Sequence, residues 1–186
     1  MTDPAAPAPA TPPAATMSDP SKVLHRAPVS RTLRPALIAI AIAWAVTIVF
    51  HLVYLIREFL WIINDGPEYL PNAFGDFGEG AILEPLLFFA GAGALLVVLL
   101  PILTETRLLT VMIRAALAGL GGFVVLSVLG LIEAIGEAVA YGFEFGYFVN
   151  DWFGYPLVVA FDLTTLLVIG AVVSWLFASK KAGAAA

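Results

Sequence analysis

Residues 35–56, PALIAIAIAWAVTIVFHLVYLI, run for 22 positions between Arg34 and Arg57 without a lysine, arginine, aspartate or glutamate. At about 1.5 Å of helix rise per residue, such a run covers about 33 Å, enough to cross a hydrocarbon core about 30 Å thick. Three further stretches behave alike: 20 residues between Glu84 and Glu105, 18 between Arg114 and Glu133, and 17 between Asp162 and Lys180. Their apolar character is continuous rather than alternating, which fits spanning helices and not barrel strands. The sequence therefore predicts an all-α integral membrane protein, a four-transmembrane-helix bundle with spans near 35–63, 83–103, 108–140 and 156–177. Pro35, Pro85 and Pro156 are expected in first turns, where a missing N–H costs nothing. Pro101 is expected to end or bend the second span.

Composition agrees. Hydrophobic residues make up 61% of 186 positions and charged residues 12%, against about 45–50% and about 25% in soluble domains. Residues 31–181 form the membrane domain on this reading. Residues 1–30, dominated by alanine and proline, bury too little apolar surface to offset the entropy of ordering and are expected to be a disordered tail. Residues 182–186 are a second short tail, and Met17 offers an alternative start to Met1. Neither start provides a short signal-peptide core, so the first apolar run is expected to remain as a span. The absence of cysteine excludes disulfide exchange, thiolate metal sites, iron–sulfur clusters and covalent haem attachment. No cofactor is expected.

The charges are sorted along the chain. Lys22, Arg26, Arg31 and Arg34 precede span one, Arg107 and Arg114 lie between spans two and three, and Lys180 and Lys181 follow span four. The alternate connections, residues 64–81 and 141–155, carry Asp65, Glu68, Asp76, Glu79, Glu144 and Asp151 and no basic side chain. The positive-inside rule then predicts that both termini are cytoplasmic, in a multi-pass protein of the plasma membrane. Arg107 and Arg114 are expected to contact anionic lipid headgroups.

Aromatic residues crowd the same connections that lack basic ones, with Tyr141, Phe143, Phe145, Tyr147, Phe148, Trp152, Phe153 and Tyr155 in one and Tyr69, Phe74 and Phe77 in the other. These connections are expected to lie on the extracytoplasmic leaflet as an aromatic belt, with Gly75, Gly78, Gly142 and Gly146 making the turns. A weak echo relates Pro85-Leu86-Leu87 to Pro156-Leu157-Val158, each opening a span after an acidic aromatic segment. It would suit a duplicated two-helix hairpin.

Chemistry-bearing residues gather toward the extracytoplasmic ends. Glu133 and Glu137 are four apart and share a helical face. His51, Tyr54 and Glu58 share another, with Arg57 beside them. Glu84 opens span two, and Asp162 lies about 10 Å beyond Tyr155 along span four. Ionisable groups inside a membrane usually face one another or a wet cavity, so His51, Tyr54, Arg57, Glu58, Glu84, Glu133, Glu137 and Asp162 form a candidate polar pocket. The alternative is a solvated rim, because spans of 115–132 and 163–179 would leave the carboxylates at the interface. His51 has no second histidine at helical spacing, and Ser127 and Ser174 lie away from it. Neither a metal site nor a catalytic set is expected.

A non-enzymatic accessory or structural membrane protein is the first functional expectation. Its partners would be the lipid bilayer and a larger membrane complex or a second copy of the chain, with no nucleic acid. The alternative is a proton- or cation-coupled transporter or channel using the acidic cluster. Small residues at Ala118, Gly122, Gly130, Ala134 and Ala138 are expected to let helix backbones pack closely within the bundle. Removing residues 1–16 should leave membrane insertion and the thermal midpoint of the detergent-solubilised protein unchanged, and a fall of several degrees would contradict the tail reading.

Overall fold

In the computed structural model, which describes residues 29–65, 70–103 and 106–183, the apolar stretches are helical and the described residues contain no strand. Most of the expected disordered tail, Glu105 and residues 184–186 lie outside the described residues. The helices are α1 (Val29–Asp65), α2 (Leu70–Gly78), α3 (Glu84–Val98), α4 (Leu108–Tyr141), α5 (Phe145–Val149) and α6 (Tyr155–Gly183). A π turn over Glu79–Leu83 joins α2 directly to α3, and another over Asn150–Gly154 joins α5 to α6. Four segments are therefore long and apolar enough to cross a membrane: Leu33–Ile62, Asn72–Val98, Leu108–Tyr141 and Phe145–Lys180.

The bundle is closed in a ring, with α3 on α4, α4 on α6, α6 on α1, and α1 on α3. Its interior is lined by Ala36, Ala39 and Ala43 of α1, Phe88, Ala92 and Leu96 of α3, Val111, Ala115 and Ala118 of α4, and Leu163, Leu167 and Ala171 of α6. These recur every three or four positions, one stripe per helix. The outward faces are equally apolar but larger, as at Val124, Val128 and Ile132 of α4. Size rather than polarity separates inside from outside. Lipid tails are as apolar as leucine, so helices gain by close van der Waals approach, which small residues permit.

Two contacts depend on glycine. A Cβ at Gly170 of α6 would collide with the carbonyl oxygen of Ala39 in α1, and one at Gly91 of α3 would lie 2.5 Å from the carbonyl oxygen of Gly121 in α4. The expected small register of α4 is consistent with this packing, since Ala118, Gly122, Gly130 and Ala134 are all buried.

One proline differs from expectation. Pro35 lies inside α1, six residues beyond its start, whereas Pro85 and Pro156 lie in the first turns of α3 and α6, each directly after a π turn. A proline in a helix removes one donor and crowds the carbonyl four residues back. At Pro85 that carbonyl belongs to Ala81, and the indole N–H of Trp44 donates to it at 2.9 Å. Each π turn widens the helix immediately before its proline: the Glu84 amide donates to the Glu79 carbonyl, and the Tyr155 amide to the Asn150 carbonyl. At Pro85 the indole thus supplies a donor to the carbonyl that the proline cannot reach. Pro101 acts as expected, because α3 ends at Val98.

Three more side chains hold backbone groups between segments. Ser174 donates to the Pro35 carbonyl at 3.1 Å, Trp175 to the Thr106 carbonyl at 3.0 Å, and the Arg114 guanidinium to the Pro101 carbonyl. Arg107 is exposed in an extended residue ahead of α4.

The aromatic connections are more helical than expected. Gly75, Gly78 and Gly146 sit within helical residues, and among the described residues only Gly142 adopts positive φ, at 99°. In α2, Leu70, Ala73, Phe74 and Phe77 follow the spacing of an apolar face, Ala73 is buried, and Phe74 meets Phe59 of α1 edge-on at 6.3 Å.

Gly170→Ala should destabilise the bundle by about 1–3 kcal/mol, the usual cost of overpacking, as read by denaturant unfolding in detergent. Gly136→Ala, which meets nothing within 4 Å, should be neutral or gain up to about 1 kcal/mol of helix propensity. Equal stability of the two variants would contradict the close α1–α6 contact.

Candidate functional site

The helices separate at the end of the bundle that carries α2. There α1, the α2–α3 rod and α6 enclose a half-open cleft of about 790 Å³. Its α1 wall runs from Thr47 to Leu55, about 12 Å along the helix. Leu163 and Leu166 of α6 contribute apolar lining, and Phe50, Tyr54, Phe161 and Thr165 are exposed residues on its margins.

The π turn explains the acidic wall. Residues five apart in an α-helix point about 140° away from each other. Closure onto the fifth residue back brings such a pair nearly into register, and both Glu79 and Glu84 line the cleft. Glu84 is half-buried, and Tyr155 of α6 lines the cleft with it. Asp76 of α2 and Asp162 of α6 add two exposed carboxylates to the lining.

His51 stands half-buried opposite them. Its Nδ1 lies 3.0 Å from the Thr47 carbonyl oxygen. A carbonyl can only accept, so Nδ1 carries the proton and the neutral ring leaves Nε2 as an acceptor. Nε2 faces Gly80, where a Cβ would come within 2.6 Å of it. Glycine in the π turn therefore makes room for the imidazole.

Of the residues singled out from the sequence, the cleft brings together His51, Tyr54, Glu84 and Asp162. Arg57 is exposed and outside the lining. Glu58 also lies outside it, with one carboxylate oxygen accepting from Tyr54 at 3.2 Å and the other buried without a hydrogen-bond partner. Glu133 and Glu137 are exposed on α4, beyond the level where Gly130 abuts the Asp151 carbonyl and Pro156. Glu137 instead lines a separate hollow of about 230 Å³ with Glu144, Tyr147 and Asp151. The cleft thus holds part of the candidate set, and Glu133 and Glu137 lie outside its lining.

Asp76, Glu79 and Tyr155 complete the cleft and were not among the candidates. Asp76 and Glu79 fall in a stretch that reads as a surface connection, and only its helical continuation over the π turn carries them to the wall. Among the described residues no group of three histidine, aspartate or glutamate side chains has a geometry that could hold a metal ion. Ser174 is engaged with the Pro35 carbonyl, and Ser127 is outside the cleft.

Comparison with models of protein families, with curated proteins and with solved structures gave no match. Function is therefore argued from the cleft alone. ¹⁵N NMR of a His25→Gln sample should show the proton of the neutral His51 ring on Nδ1, and a proton on Nε2 would contradict the Thr47 contact.

Proposed function

We propose that this chain is a non-enzymatic accessory protein of the plasma membrane that works by binding, with the cleft as its working part. The observation that carries this reading is a half-open cavity of about 790 Å³, within the range of about 300–1,000 Å³ typical of ligand sites. Its lining offers acceptors and aromatic faces, without a nucleophile poised beside His51. Both termini are on the cytoplasmic side in this proposal, because eight of the nine basic residues, all but Arg57, lie before or early in α1, at Arg107 and Arg114, or at the end of α6. The cleft then opens toward the extracytoplasmic leaflet. We also read the chain as two related hairpins. Phe74-Gly75-Asp76-Phe77 and Phe145-Gly146-Tyr147-Phe148 each precede a π turn and a proline by the same interval, which supports the duplication.

Proton- or cation-coupled transport is the second reading. It is favoured by one observation, the half-burial of Glu84 in the same cleft as His51, since ionisable groups within a membrane commonly mark ion pathways.

Single cysteines at Asp76 and Glu144 should react with a membrane-impermeant maleimide on intact cells, while one at Glu105 should react only after permeabilisation. The reverse pattern would invert the topology. A photocrosslinking amino acid at Phe161 should give a discrete adduct in native membranes, and one at Val124, on the lipid face of α4, should not. Indistinguishable products at the two positions would contradict binding at the cleft. In liposomes with a pH gradient, proton flux above protein-free vesicles that is abolished by Glu84→Gln would decide for transport over simple binding.

A further inference from the structure

The cleft's lining is unbalanced in charge. Asp76, Glu79, Glu84 and Asp162 contribute four acidic side chains, and no lysine or arginine lines it. Arg57, the nearest basic residue in sequence, is exposed outside the lining. His51 is the one basic side chain in the lining, and its Nδ1 is engaged by the Thr47 carbonyl. The apolar part of the wall is aromatic at the level of the acids, with Phe50, Phe77 and Phe161 beside Tyr155. Aromatic faces attract cations, more strongly when the cation is removed from water.

The shape selects further. Exposed Phe50 and Tyr54 on α1 and exposed Phe161 and Thr165 on α6 border the cleft, leaving the gap between these two helices open sideways. An apolar body can therefore enter from the leaflet without crossing water. A phospholipid of that leaflet is a poor occupant, since its phosphate would lie against carboxylates with no basic side chain in the lining to meet it.

From this placement we propose that the cleft binds a lipophilic organic cation, entering laterally between α1 and α6, with its positive centre between Glu84 and Asp162 and its apolar body against Leu163 and Leu166. The proposal rests on the binding reading above and specifies the chemistry of the ligand. Glu84 supplies a half-buried acceptor on the wall opposite α6, with Tyr155 in the same lining. Asp162 lines the same cleft from α6, about 10 Å further along than Tyr155, so the two acids offer negative charge at two levels of it. The Gly80–His51 contact keeps the imidazole back from the centre of the cleft.

The test uses two ions of nearly the same size and shape and opposite charge, tetraphenylphosphonium and tetraphenylborate. Each is titrated by equilibrium dialysis against the full chain in phosphatidylcholine nanodiscs, with empty nanodiscs subtracted. Saturable binding of tetraphenylphosphonium alone is expected, weakened at least tenfold by Asp162→Asn and by Glu84→Gln. Asp162 is exposed, so its variant should retain the wild-type thermal midpoint and keeps the test valid if Glu84→Gln does not fold. Saturable binding of tetraphenylborate, or of both ions equally, would overturn the cation assignment while leaving the binding reading in place. Undiminished tetraphenylphosphonium binding in a stable Asp162→Asn variant would overturn the placement of the charge. If neither ion binds saturably, the cation assignment falls, and the absence of a discrete adduct at Phe161 would remove the binding reading with it.

Discussion

A helix in hydrocarbon has no water to satisfy its backbone, and every proline within it removes a donor. This constraint shapes more of the structure than any other. At Pro85 the Ala81 carbonyl takes the Trp44 indole instead, which fixes the α2–α3 rod against α1. The π turn before the same proline keeps the helix continuous and rotates Glu79 toward the face of Glu84. One accommodation thus positions a helix and builds the acidic wall of the cleft. Its counterpart before Pro156 brings Tyr155 into the lining of the same cleft.

The bundle and the cleft are opposite uses of side-chain size. Where α1 meets α6 through Ala39 and Gly170, the backbones touch and nothing is left between them. Toward α2 the same two helices carry Phe50, His51, Tyr54, Phe161 and Asp162, which are too large or too polar for such contact, and the helices stand apart. The stability of the inner half comes from dispersion across small residues. Toward α2 the bundle gives up part of that packing and gains an accessible hollow whose mainly apolar wall carries a few acidic groups. A trade of this kind is common where a structure serves a ligand rather than its own stability.

The span count and the continuous helices were legible because uncharged runs of 17–22 residues have few other readings. The clustering of His51, Tyr54, Glu84 and Asp162 was legible from their depth along the spans. The separation of Glu133 and Glu137 from them was not, because it depends on how far α4 runs past the level of Pro156. Nor was the membership of Asp76 and Glu79. Glycine and aromatic residues there resemble a turn-rich surface segment, whereas Leu70, Ala73, Phe74 and Phe77 make one helical face. The first-turn rule for proline holds for Pro85 and Pro156 and fails for Pro35, because α1 begins six residues before it.

The account stands on the cleft being a hydrated space that reaches below the headgroups. Nitroxide labels at Asp162 and at Leu120 test this directly. The two positions lie at similar depth, since Gly119 packs against Thr164, but one lines the cleft and the other is exposed on the outer face of α4. In liposomes, the label at 162 should be relaxed by a water-soluble nickel complex while the label at 120 responds to oxygen alone. If both respond only to oxygen, the space is filled by lipid or closed, and the cleft is not a site.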